Sequence, residues 1–227
     1  MKLVATVVSG PNYQKLAALS VPPMLVYAER IGADFLSLTG GGLKDVSASW
    51  EKLRLKALLE KYEQVIFIDA DILVKPTAPN LFDIVPTGQL GMVNEAAYRP
   101  PGVFKPVYEC WVGEMAAANQ IPMPVLTMYF NTGVIVMDRT HLGLFDPPTI
   151  YVSKGMKDQD WFNLMIHRHK FQMVNLPVVF NWFPCGVQKS SAHLIHYHYT
   201  KEKLDHMTND AREFFPGNSL PLTPGRP

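Results

Sequence analysis

The run Ile66-Phe67-Ile68-Asp69-Ala70-Asp71 is an apolar segment that ends in two carboxylates at i and i+2. Two such charges repel unless a cation sits between them. Hard divalent cations take oxygen ligands and share them with phosphates, so the pair points to Mg²⁺ or Mn²⁺ and a phosphate-bearing ligand. The plainer alternative is that both acids cap the following turn. Far along the chain His193, His196 and His198 alternate, which on a strand puts His196 and His198 on one face and His193 on the other. A neutral imidazole from that strand can complete a metal shell. Asp158-Gln159-Asp160 precedes the mostly apolar Trp161–Ile166. That is the pattern of a helix N-terminus, where acids cap free N–H groups, whereas the neutral Gln159 is harder to explain as a cap. Asn131, beside Thr132-Gly133, lies in an apolar run and needs hydrogen-bond partners, either a bound ligand or the core itself. Gly133 would let ligand or backbone approach closely. Lys52 and Arg54 open a helix, and Trp161, Phe180, Trp182 and Phe183 are either core or a stacking surface for a ligand.

The elements that must position these groups follow from periodicity. Residues 3–8, 33–38 and 64–69 read as short buried strands, 90–94 and 130–138 as further strands, and 193–199 as a strand with alternation. Helical patterns cover 12–20 and 24–31, broken by Pro22-Pro23, then 49–62, 108–119, 159–169 and 201–215. Strands alternating with helices predict an α/β fold with a mostly parallel central sheet flanked by helices. Strands buried on both faces read as continuous apolar runs, as 64–68 does. In such sheets ligands bind at the carboxyl ends of the strands, where Asp69 and Asp71 fall. One domain is expected over 1–215, followed by a Pro/Gly-rich tail over 216–227.

Taken in order, several blocks resemble family 8 glycosyltransferases. They are Thr6 with Tyr13, Lys52-Leu53-Arg54-Leu55, the Asp69-Ala70-Asp71 strand end followed by Leu81-Phe82, Phe130-Asn131-Thr132-Gly133, Asp158-Gln159-Asp160 with Asn163, and His196-Tyr197. The resemblance runs over about residues 3–203 and implies a glycosyltransferase A-type fold. It implies a metal-dependent transfer of a hexosyl unit from a nucleoside-diphosphate sugar, a UDP-sugar by family default, to an acceptor hydroxyl with retention. It assigns the metal, Mn²⁺ or Mg²⁺, to Asp69, Asp71 and His196, with His198 as the alternative to His196. It assigns the donor to Thr6, Val7, Tyr13, Lys52, Ala70 and Asn131. Gln159 falls on the sugar face opposite the leaving diphosphate, and Asp158 on a sugar hydroxyl. The family's late motif continues into Gly and then Lys-Pro-Trp, whereas this chain reads His196-Tyr-His-Tyr-Thr-Lys201-Glu-Lys203. Lys201 and Lys203 are both candidates for the diphosphate.

Composition narrows the classes. Twenty-one basic against twenty acidic residues give a net charge of +1, which argues against nucleic acid as the main ligand. The two cysteines, Cys110 and Cys185, have no metal-finger spacing and read as reduced thiols. No secretory leader and no transmembrane run is visible, so a cytoplasmic location is expected. Two other readings compete. One is a sugar-nucleotide-binding module without turnover. The other is an Asp-nucleophile phosphatase, whose signature normally lies near the N-terminus and is not followed by Ile72-Leu73.

Overall fold

The computed structural model describes residues 1–41, 43 and 47–216. A six-stranded sheet has the order β2-β1-β3-β6-β5-β7, built from β1 (Lys2–Val8), β2 (Asp34–Thr39), β3 (Gln64–Ile68), β5 (Leu90–Asn94), β6 (Phe130–Asp138) and β7 (Met173–Asn175). β1 runs parallel to β2 and β3, and β5 to β7, while β6 is antiparallel to both β3 and β5. The sheet is therefore mostly parallel, with one reversed strand at its centre. All residues of β3 and β6 are buried, because both faces are covered. Alternation divides their side chains between two cores: Val65, Phe67, Ile135 and Met137 on one face, Ile66, Ile68, Val134 and Val136 on the other. The first core is shared with α4 (Pro101–Ala118) and α5 (Asp158–His169), the second with α1 (Pro11–Arg30).

Three expectations are corrected. α1 does not break at Pro22-Pro23 but runs unbroken for 20 residues. The two prolines leave the carbonyls of Ala18 and Leu19 without their helical N–H partners, at a cost of ~3 kcal/mol each. Burial of Met24, Tyr27 and Ala28 in the second core, and of Leu16 and Leu19 against Leu73, Ile195 and Met207, outweighs it. The helix expected over 49–62 is instead a 3₁₀ stretch, Ala48–Leu55, followed by the single α-turn α2 (Lys56–Leu59). In 3₁₀ winding residues i and i+3 align. This places Arg54 against Glu51, with 2.9 Å between Nη1 and Oε2, while Glu51 Oε1 accepts the N–H groups of Gly41 and Leu43. The strand expected over 193–199 is only β8, Leu194–His196. It pairs with β4 (Ile72–Val74) in a separate antiparallel two-stranded sheet.

That small sheet positions the candidate site. Its register sets His196 opposite Ile72, the residue after Asp71. Beyond β8, the Tyr197 N–H donates to the carbonyl of Asp71 at 3.0 Å, and on the other side of β8 the His196 N–H donates to that of Trp182 at 2.9 Å. A turn of helix at Leu81–Ile84 (α3) and α6 (Lys203–Phe214) complete the chain's helices among the described residues. Nearly all of the expected tail, from residue 217 on, lies outside them. Among the described residues no helix is long and apolar enough to cross a membrane. Cys110 and Cys185 are both free thiols.

Candidate active site

A cavity of about 410 Å³ opens where β1 and β3 end, and its wall includes Val7, Tyr13, Lys52, Asp69, Ala70, Asp71, Asn131, Asp158, Gln159, His196 and Lys203. Two expected donor contacts lie off this wall. Thr6 is fully buried, on the face of β1 that it shares with Val4, and alternation turns Val7 to the cavity instead. Lys201 is exposed in the turn before α6, whereas Lys203, on the first turn of α6, reaches the site.

At one end of the cavity Asp69, Asp71 and His196 present ligand atoms that all lie within 4.8 Å of one another. His196 Nε2 is 3.3 Å from Asp71 Oδ1 and 3.9 Å from Asp69 Oδ2. Its Nδ1 lies 2.8 Å from Asn181 Oδ1. Asn181 Nδ2 is committed to Asn131 Oδ1 at 2.8 Å, so Asn181 Oδ1 is an acceptor and His196 carries its proton on Nδ1. Nε2 then has a free lone pair aimed at the carboxylates, the arrangement of an imidazole metal ligand fixed from behind. Two carboxylate oxygens and one imidazole nitrogen suit Mn²⁺ or Mg²⁺. Of the two histidines, His196 meets the carboxylates. The His198 ring lies 4.4 Å from that of His196 but directs Nε2 toward Arg99, at 3.5 Å. Burial, with His196 beside it, pushes His198 down to about 2, so its ring is neutral. Gly133 serves this same cluster. A Cβ there would stand 2.5 Å from the His196 ring, so the close approach that Gly133 permits is that of the imidazole.

The carboxylates are not equivalent. Burial lifts Asp69 to about 6, opposed by Lys52 and reinforced by Asp71. Burial also acts on Asp71, but the charge and hydrogen bond of Lys203, with those of His196 whenever Nε2 is protonated as well, hold it well below the usual carboxylate range. Lys203 Nζ is 2.5 Å from Asp71 Oδ2. Lys52 is buried and bridges Asp69 Oδ2 at 3.1 Å and Asp158 Oδ2 at 3.0 Å, also donating to the Thr132 carbonyl and hydroxyl. Burial disfavours its charge, and the two acids more than restore it. Removing Lys52 leaves the buried Asp158 and the part-buried Asp69 without their cation. In Lys52→Met, urea unfolding in the presence of a chelator should lose about 3–5 kcal/mol of stability. An unchanged midpoint would rule out this bridging role.

At the other end, Gln159 accepts the Thr132 N–H on Oε1 at 3.3 Å and donates from Nε2 to Glu95 Oε2 at 3.3 Å. Asn131 donates to the same Glu95 oxygen at 2.9 Å, and its own Oδ1 takes the N–H groups of Gly133 and Asn181. Asp160 is turned from the cavity. It accepts from the Tyr129 hydroxyl at 2.6 Å and the Met156 N–H at 2.6 Å, and burial raises it to about 6. Trp161, Phe180, Trp182 and Phe183 are all buried in the cores, so none is a stacking surface for a sugar. Sequence reasoning missed Glu95, Asn181 and Lys157. Glu95 directly follows an apolar strand, as Asp69 does, and Asn181 is the polar residue inside Val-Val-Phe-Asn-Trp-Phe. Lys157 has a left-handed φ of 52° and places Nζ 3.1 Å from the Ser47 hydroxyl at the cavity wall.

Residues 47–144 match the family model described as glycosyl transferase family 8. Over that stretch the chain is similar to family 8 glycosyltransferases. The match contains Lys52, Asp69, Asp71, Glu95 and Asn131, while Gln159, His196 and Lys203 join them through α5, β8 and α6. A search of curated proteins finds no match. Among solved structures, the fold is similar to that of a glycosyltransferase involved in glycosylation of the major capsid of PBCV-1 (TM-score 0.59, 12% identity, 92% of this chain and 98% of that one). It is similar to the galactosyltransferase LgtC in complex with donor and acceptor sugar analogs (TM-score 0.53, 14% identity, 96% and 98%). It also resembles the bifunctional glycosyltransferase WbbM (TM-score 0.57, 14% identity), covering 93% of this chain but only 49% of that one. At these identities the likeness establishes the fold, which is of the glycosyltransferase A type. Family match and fold together make this domain a glycosyltransferase.

Proposed function

We propose that the enzyme moves a hexosyl unit from a UDP-sugar to an acceptor hydroxyl with retention, using Mn²⁺ or Mg²⁺ held by Asp69, Asp71 and His196. The observation that carries this reading is the layout of one cavity, with two acids and an imidazole at one end and Gln159 at the other. Bound there, the ion supplies positive charge to the departing diphosphate. Lys203, already within reach of that end, adds a second positive charge. Val7 and Tyr13 flank the nucleoside, Ala70 lines the floor between the acids, and Lys52 and Asp158 hold sugar hydroxyls together with Asn131. The bond from the anomeric carbon to the diphosphate oxygen breaks and a bond to the acceptor oxygen forms on the same face. The acceptor proton passes to the departing diphosphate, while the amide oxygen of Gln159 faces the positive charge on the ring.

Calorimetry of UDP with Mn²⁺ and with a chelator, followed by UDP release from a panel of nucleotide sugars, tests the proposal. UDP should bind far more tightly with the ion, and at least one donor should be consumed. Equal affinity with and without the ion, together with no consumption of any donor, would overturn it.

A further inference from the structure

Beside the main cavity lies a second one of about 340 Å³, and the two share Asn131, Met156, Gln159 and His198. Between them stands an ion pair that none of the roles above uses. Arg99 donates from both Nε (3.1 Å) and Nη2 (2.8 Å) to a single oxygen of Glu95, Oε1. The other oxygen, Oε2, is thereby left to the amides of Asn131 and Gln159. The Glu95 side chain is 5% exposed, so its charge has little solvent to fall back on. Arg99 is itself held in place, its guanidinium carbon 4.4 Å from the centre of the Phe183 ring.

We infer that Arg99 is a positioning residue for Gln159. The steps are chemical. A primary amide has an oxygen end and a nitrogen end, and only the oxygen end can face a developing cation favourably. Gln159 has two partners that fix which end goes where: a carboxylate, which only accepts, and the Thr132 N–H, which only donates. Flipping the amide breaks both bonds and sets its oxygen against Glu95. The orientation therefore depends on Oε2 of Glu95 staying where it is, as an ionised acceptor. Arg99 secures both conditions, since its fork occupies Oε1 and its charge balances the buried carboxylate. Arg99 touches no reacting atom, and its effect reaches the sugar only through Glu95 and Gln159. The inference rests on the role proposed for Gln159.

Arg99→Met and the double variant Arg99→Met/Glu95→Gln separate positioning from support. The double variant carries no unbalanced buried charge, so it should recover the melting temperature lost in the single one. Its amide at position 95 keeps an acceptor oxygen, but with Arg99 gone nothing holds that oxygen toward Gln159. In both, kcat for UDP release should fall by roughly 10- to 100-fold, the scale expected of a displaced catalytic group. Affinity for UDP with Mn²⁺ should stay within about 3-fold of the parent, because neither substituted side chain contacts Asp69, Asp71, His196 or Lys203. The Gln159 side-chain NH₂ signal in NMR, assigned by its loss in Gln159→Glu, should exchange with solvent faster in both variants. Wild-type kcat and exchange in Arg99→Met, or recovery of kcat along with melting temperature in the double variant, would overturn the inference. If the parent protein binds no UDP with Mn²⁺, the functional reading fails instead, and the exchange measurement still decides whether Arg99 holds Gln159.

Discussion

In Asp71→Asn, binding of UDP should lose its dependence on Mn²⁺, with affinity in the presence of the ion falling by roughly 100-fold or more. Loss of outer contacts to a metal ligand already costs 10- to 100-fold, and here a ligand itself is lost. Asp71 is where three interactions converge: His196 Nε2 on one oxygen, Lys203 on the other, and the Tyr197 N–H on its carbonyl. The variant keeps the size and the backbone bond, so the β4–β8 junction survives. It loses the charge and half of the acceptor capacity. With its oxygen toward Lys203, the new amide points N–H toward His196 Nε2 and occupies the lone pair that a cation needs. The electrostatics reinforce this choice of residue. Asp71 is held ionised well below the ordinary carboxylate range, while Asp69 is lifted to about 6, so Asp71 carries the more secure negative charge. Calorimetry with and without Mn²⁺ measures the effect, and circular dichroism checks the fold. Unchanged ion-dependent affinity would show that Asp71 does not hold the metal.

What the sequence made legible and what it hid divide by the range of the interaction. β3 and β6 could be read because strands buried on both faces are continuous apolar runs, and the acids at the end of β3 then mark the mouth of the sheet. The start of α5 could be read because short polar residues precede an apolar helix. The path of α1 could not, since local propensity at Pro22-Pro23 opposes the burial that keeps the helix whole. β4 and β7, three residues each, are too short to show a period. Alternation put His196 and His198 on one face without choosing between them. The choice is made by the pairing of β8 with β4, which sets His196 opposite Ile72. Likewise Lys203 is distinguished from Lys201 only once α6 begins. The polar chain from His196 through Asn181 and Asn131 to Glu95 and Gln159 joins β8, β6, α5 and two connecting segments, and no spacing along the chain announces it.

Gln159→Ala should lower kcat by roughly 100-fold while leaving the affinity for UDP with Mn²⁺ nearly unchanged. The magnitude is that of removing one preorganised dipole from a site where charge develops. The separation between kcat and affinity follows from where Gln159 sits. It lines the cavity on the side of Asn131 and Thr132, and none of its hydrogen bonds goes to Asp69, Asp71, His196 or Lys203. Its amide oxygen faces a neutral sugar in the ground state and a partly cationic ring in the transition state, so the attraction grows along the reaction and appears in kcat. A carboxylate at this place would be a nucleophile and could form a stable adduct. An amide oxygen stabilises the charge without taking the sugar, which leaves the acceptor to attack from the diphosphate side. Truncation also frees the N–H of Thr132 and one contact of Glu95, but Asn131 and Arg99 still hold that carboxylate, so the melting temperature should fall by only a few degrees. Stopped-time assays of UDP release, paired with calorimetry, distinguish the outcomes. A variant with wild-type kcat, or one whose loss lies entirely in UDP affinity, would move the role of facing the anomeric carbon away from Gln159.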